Sequence, residues 1–339
     1  MVFKRLLGSL GVGGPSVDTV LDPGPALPGG SLGGHVLLSG GNAGFDIEQI
    51  ALELVARVEA EHQDGESEGV LVFDRFTLGG GFRLAEDEQR SLPFSVTLPW
   101  ETPATELHGQ PLGIVLGLRT ELQVTGARDT GALDQLTVRP LAAQEAILEA
   151  LGQLGFGFRT ADLEFGRIGG TAQQLPFYQE IELTPPARYA HTLNEVEVTF
   201  LAHPGGMEVV LEADKRGGLL SAGHDAVTRF TVSHHGVEHH DWNTEVDGWI
   251  RRLVEDRSSR TAHGAPGHDE PYGGYAHEEG DHGRHHQGDD HHRSGPGVGT
   301  AVAAGAAGLA VGVVGGMVAA EVVDEVGDFF EGDEESEEG

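Results

Sequence analysis

Up to about residue 140, apolar positions recur at every second residue. Ile50, Leu52, Leu54, Ala56 and Val58 alternate with Glu53, Val55, Arg57 and Glu59. Phe94, Val96, Leu98 and Trp100 alternate with Ser95 and Thr97, and Leu116, Leu118, Leu122 and Val124 with Arg119, Glu121 and Gln123. A strand with this period buries one face and wets the other, as in an antiparallel sandwich. Gly69 to Phe73 is continuously apolar and reads as a more buried strand. Pro28-Gly29-Gly30, Gly33-Gly34, Gly40-Gly41-Asn42 and Asp129-Thr130-Gly131 separate the runs as turns. Many short strands at this spacing predict a sandwich or barrel, not a β-α-β fold.

The period changes once and then returns. Ile147, Leu148, Leu151 and Leu154 share one face of a predicted helix over 141–154, with Pro140 before it and Gly155 and Gly157 after it. Alternation resumes at Ile181 and Leu183, at Val196, Val198 and Phe200, at Met207, Val209 and Leu211, and at Phe230 and Val232. Glutamates fill the intervening positions, including Glu180, Glu182, Glu195, Glu197, Glu208 and Glu212, and are expected on a solvated face. Asp214-Lys215-Arg216-Gly217-Gly218 reads as a turn. Trp242, Val246, Trp249, Ile250 and Leu253 fall on one helix face, and Asp241 is placed to cap that helix. Leu92-Pro93-Phe94 and Leu175-Pro176-Phe177 repeat one local text in the two halves.

The pattern predicts a mainly β chain of two antiparallel β-sandwich domains and a low-complexity C-terminal tail. The expected divisions are 1–140 for the first sandwich, 141–155 for a helical connector and 156–254 for the second sandwich with a closing helix. A disordered His/Asp/Gly-rich linker at 255–294, a Gly/Ala-rich apolar helix at 295–323 and an acidic tail at 324–339 follow.

Charge sharpens this division. The 339-residue chain has a formal net charge of -33, with 54 acids against 21 bases. Residues 255–339 carry -15 of it, nearly half on a quarter of the length. Such a chain repels phosphate backbones, so nucleic acid is not an expected partner, and basic proteins or metal cations are easier ones. The absence of cysteine removes disulfides and thiolate chemistry. Lys4 and Arg5 precede only Leu6 and Leu7 before Gly and Pro intervene, too short a run for a secretory core. The expected compartment is the cytoplasm.

No Gly-Lys-Ser/Thr phosphate loop, Gly-x-Ser-x-Gly elbow or His-Glu-x-x-His pair occurs, and Ser16 stands where the glycines at 11, 13 and 14 would need a last glycine for a dinucleotide fingerprint. No catalytic residue, no cofactor site and no enzymatic activity are expected. Histidine is the one enriched ligand type. His234, His235, His239 and His240 close the second half, and His277, His282, His285, His286, His291 and His292 lie in the tail among Asp and Glu. These ten are the candidate divalent-metal ligands, since imidazole suits zinc, nickel and copper. A Gly-rich tract does not hold four ligands tetrahedrally, so a solvated spacer is the preferred reading and metal buffering the alternative.

Ser294 to Ala320 contains no charged side chain and is long enough to span a bilayer of roughly 20 helical residues. Its side chains are small, and Gly308, Gly312 and Gly316 recur at the spacing of close helix packing. A self-associating or self-docking helix is preferred over a membrane anchor through 295–320 and over a linker; a tail-anchored adaptor is the alternative the anchor would imply. The end, with Val322, Val323, Val326, Phe329 and Phe330 among acids, reads equally as a docking peptide or a solubilising segment.

Over about residues 1–254 the chain resembles the bacterial sporulation-control proteins of the stage-zero M family, which are arrestin-like in fold. The likeness rests on the lead Phe3-Lys4-Arg5-Leu6-Leu7, the Gly-rich segment Gly29 to Gly41, Ile50 to Glu59, Leu92 to Trp100 with Pro103, Leu175 to Leu183, and Val209 to Gly218, in that order. The resemblance implies a pair of arrestin-like β-sandwiches acting through protein partners in sporulation, cell division or cytoskeletal behaviour. It brings no catalytic residue with it.

Overall fold

The computed structural model describes residues 8–9, 13–62, 65–125, 127–213 and 226–263. The turn at 214–218, the tail histidines, Gly308, Gly312, Gly316 and the acidic end lie outside the described residues. The strands of the first half are β1 (Gly8–Ser9), β2 (Ser16–Leu21), β3 (Ser31–Ser39), β4 (Phe45–His62), β5 (Gly65–Gly79), β6 (Phe82–Leu84), β7 (Gln89–Thr97), β8 (Glu106–Leu107), β9 (Gln110–Pro111), β10 (Leu116–Val124) and β11 (Ala127–Gln135). Helix α1 (Ala142–Gln153) follows, then β12 (Gly157–Phe165), β13 (Phe177–Thr184), β14 (Val196–His203), β15 (Gly206–Ala213), β16 (Ala226–Val232) and α2 (Trp242–His263). The chain is mainly β and its long strand pairings are antiparallel, as the period-two pattern predicts.

One sheet has the order β1-β2-β3-β7. The other runs β11-β10-β4-β12-β13-β14-β15-β16, with β5 and β6 also paired to β4. The halves join where β12 meets β4 in parallel at Glu164 opposite Glu59. In the first half, Val17, Leu32, Val36 and Leu38 of the small sheet face Ile50, Leu52, Leu54, Leu116, Leu118 and Leu122 of the large one in one core. Val17 and Leu38 sit opposite each other across β2 and β3, so their pattern and register agree. In the second half, α2 lies against β15 and β16 and packs on α1. Among the described residues, α2, with α1 beside it, covers β15 and β16 where the first half uses a second sheet. The core is continuous across both halves, from Val17 to Leu253.

Local signals explain the helix ends. The Leu141 N–H donates to Gln144 Oε1 at 2.7 Å, closing the start of α1. At its end Gly155 adopts φ +93°. The Phe156 N–H reaches the Leu151 carbonyl and the Gly155 N–H the Gly152 carbonyl, the paired closure that a left-handed residue permits. Asp241 Oδ1 accepts the Thr244 N–H at 3.1 Å, so it caps α2 as predicted. That helix continues to His263, into the 255–294 segment that the sequence reads as a linker. Val246, Trp249, Ile250 and Leu253 are its buried face, and Trp249 stacks on Phe230 at 4.6 Å. At the Pro28-Gly29-Gly30 turn, Gly29 has φ +68° and a Cβ there would sit 2.4 Å from the Trp100 ring.

The outer face of β4 departs from simple alternation. Ala51, Glu53 and Val55 are buried there, although the pattern places them in water. Arg119 donates to Glu53 Oε2 from both Nε (2.9 Å) and Nη2 (2.7 Å). Arg75 bridges Glu53 Oε1 at 2.7 Å and Glu121 at 2.9 to 3.0 Å. These guanidiniums and carboxylates pair across the sheet, and Val55 packs with Val70 and Val72 beside them. The arginines cover the sheet face that periodicity alone assigns to solvent.

Candidate functional site

Four of the candidate histidines, His234, His235, His239 and His240, lie among the described residues, each with its own contacts. His234 stacks on Trp100 at 5.1 Å between ring centres, and its Nε2 contacts the His203 carbonyl at 2.8 Å. His235 uses its backbone N–H on the Ser233 hydroxyl. His239 ends a short turn, Val237–His239. His240 packs on the edge of Trp242 and lies 3.7 Å from Glu245. Their surroundings are turn and helix-start contacts. His277, His282, His285, His286, His291 and His292 lie outside the described residues.

Strand register gathers carboxylates instead. On the outer face of the second half, Glu182 of β13 lies directly opposite Glu197 of β14, and Glu197 directly opposite Glu212 of β15. One row further along, Asp162 of β12 is opposite Glu180. In the next row, Glu164 is opposite Tyr178 on one side and Glu59 of β4 on the other. Neighbouring strands are about 4.8 Å apart, and like charges directly opposite destabilise a sheet. Seven acids therefore share one face across five strands.

Much of this face is out of water. Glu180 is 2% exposed, Glu197 3% and Glu212 2%, so the expectation that alternating glutamates are solvated is corrected. Alternation marks which face a residue is on, not whether that face is covered. Near β16 the cover is the 166–176 connection, where Ile168 packs on Tyr178, Leu201 and Val210. Arg167 donates to the Gln173 carbonyl at 2.7 Å and Arg229 to the Gly170 carbonyl at 2.9 Å, tying that connection down. At the margin, Arg159 meets Glu182 at 3.0 Å and also bonds Glu195.

The crowding changes protonation. Burial first, then Glu180, Glu164, Glu59 and Glu182, push the Asp162 carboxyl up to about 8 from its ordinary 3.8. The same burial and surrounding carboxylates raise the Tyr178 hydroxyl well above its usual range. Asp162 therefore carries a proton through most of the neutral range while its neighbours supply the negative field. One ligand oxygen each from Asp162, Glu164 and Glu180 lies within 4.8 Å of the others, the one such acid or histidine trio among the described residues. An all-oxygen set of this kind suits a hard cation. The sequence hides it, because each strand contributes one or two glutamates that read as ordinary wet positions.

The halves are also locked by specific polar contacts. Glu101, after β7, accepts N–H groups of Gln174 and Leu175 at 2.8 Å. The Gln179 amide donates to the Ala104 carbonyl at 2.9 Å and accepts its N–H at 3.0 Å. Phe73 meets Phe177 edge to face at 5.5 Å.

Comparison with known proteins agrees with this architecture. Residues 3–217 match the family described as SpoOM protein. The sporulation-control protein spo0M of Bacillus subtilis (strain 168) is 33% identical over 216 residues, covering 63% of this chain and 81% of that protein. The crystal structure of Spo0M from Bacillus subtilis superimposes with a TM-score of 0.63 at 27% identity, covering 73% of this chain and all of that one. Among the described residues, no helix is long and apolar enough to cross a membrane.

Proposed function

The chain belongs to the SpoOM protein family, and from that premise we propose that it is a non-catalytic cytoplasmic regulator of cell development that acts by binding a protein partner with a basic segment. The acidic face carries this reading. The sheet sets Glu182, Glu197 and Glu212 directly opposite one another and so gathers acidic side chains into one row. Its partly exposed margin, Glu164, Glu182 and Glu195, presents negative charge to a partner. Negative potential of this kind steers and orients a basic surface. The test is complementation in the related Bacillus subtilis. The spo0M gene is replaced with one encoding this chain, or its Glu182→Lys and Glu195→Lys double variant, and spores are counted. Wild type should restore spore formation and the double variant should not, while keeping a wild-type circular dichroism spectrum. A folded double variant that restores spores fully would sink the acidic face as the partner surface.

A second reading has its own observation, the convergence of Asp162, Glu164 and Glu180 oxygens. There the face would hold a hard divalent cation instead of a basic segment. Calcium or manganese titrated calorimetrically into wild type and Asp162→Asn separates the two readings. Heat in the wild type that the variant lacks favours the cation, and no heat in either discards it.

A further inference from the structure

At the β16 end of the same outer face, a cavity of about 340 Å³ lies between the two halves. Glu101 is the first half's contribution, and the second half supplies the rest. Leu201, Ala202 and Pro204 give it apolar walls; Glu208, Glu101 and His203 give it polar ones. Its volume is near the lower end of small-ligand sites, which run from about 300 to 1,000 Å³. That is room for one side chain or a compact molecule, not for a helix.

The charge of the lining is one-sided. Its acids are Glu101 and Glu208: burial raises the Glu101 carboxyl against the Leu175 and Gln174 N–H bonds that hold it down, and the nearby arginines bond chiefly to backbone carbonyls. The Arg167 guanidinium is spent on the Gln173 and Gln174 carbonyls. Arg229 bonds the Gly169 and Gly170 carbonyls and approaches Glu208 only with Nε, at 3.8 Å. The His203 ring accepts the Gly205 N–H on Nδ1 at 3.1 Å. An apolar stem ending in a positive head fits such a lining, because the stem packs on Leu201 and Pro204 while the head stays with the carboxylates.

We propose that this cavity receives the lysine or arginine side chain of a protein partner, anchoring it on the junction of the two halves. The inference rests on the basic-partner reading and adds the anchor to it. The site joins the halves, so an occupant there would contact both at once.

The probes are the capped tripeptide acetyl-Leu-Arg-Leu-amide, the same peptide with citrulline for arginine, and agmatine, each titrated calorimetrically into the full chain. The arginine peptide should bind, and the neutral citrulline peptide should bind about tenfold more weakly, a difference of about 1.4 kcal/mol. Glu208→Gln should remove that difference, whereas Glu149→Gln, on the exposed side of α1, should keep it. Equal binding of the two peptides, or no binding by either, overturns the cavity as a cation site. Agmatine binding as tightly as the arginine peptide assigns the cavity to a free amine and overturns the partner assignment. Neither result touches the spore-complementation test of the acidic margin, so the two readings fail separately.

Discussion

Replacing Asp162 with asparagine should make the protein more stable at pH 9 than the wild type and nearly equal to it at low pH. The folded chain holds a proton on Asp162 up to about pH 8, whereas the unfolded chain releases it near the ordinary 3.8. Between those values the native state binds more protons, so stability falls as pH rises. The stability linked to this group is fully present below pH 3.8 and is lost as pH climbs through about 8. The limiting slope for one proton is about 1.4 kcal/mol per pH unit. Asp162 keeps some solvent access, which screens the effect. We therefore expect the advantage of Asp162→Asn to grow by only about 1–2 kcal/mol between pH 5 and pH 9. Urea unfolding followed by tryptophan fluorescence at pH 5, 7 and 9, on both chains in the same buffers, measures the difference while other titrations cancel. A gap that stays flat over this range, or a wild type more stable at pH 9, would refute the claim that its neighbours and burial keep this carboxyl protonated.

The neighbouring charge network makes a different forecast. Arg119→Met removes one of the two arginines that hold Glu53, and should cost about 3 kcal/mol in urea unfolding; adding Glu53→Gln should recover part of that loss. Leu54→Ala, at a position with no exposure in the shared core, should cost about 2–5 kcal/mol by the same assay. Asp241→Ala should cost about 1 kcal/mol and speed amide exchange in the first turn of α2 without altering the sheets. Gly29→Ala should lower the melting temperature, because its backbone needs φ +68° and its Cβ would meet the Trp100 ring; a melting curve that does not move would argue against that close approach.

Local chemistry made a large part of this protein legible. The alternation in Ile50 to Val58 and in Leu116 to Val124 marks β4 and β10 because side chains on a strand point alternately to two faces. Asp241 and Gly155 announce helix ends because capping involves only residues within a turn of one another. Family membership over residues 3–217 was readable for a related reason, since the resemblance lies in the order of such local segments. What the sequence could not determine was which strand lies beside which, and at what offset. Glu182, Glu197 and Glu212 are far apart in the chain, and only the registers of β13, β14 and β15 make them one row. The same holds for Arg75 and Arg119, which meet Glu53 across three strands and close a face that its pattern marks as wet. The converse holds for two described histidines: His234 and His240 are close in sequence, but Trp100 and Trp242 engage their rings in different places. A one-residue slip in any of these pairings would exchange the two faces of a strand. Periodicity therefore decides the elements, whereas long-range pairing and burial decide which charges meet, which proton is retained and where a partner could be held.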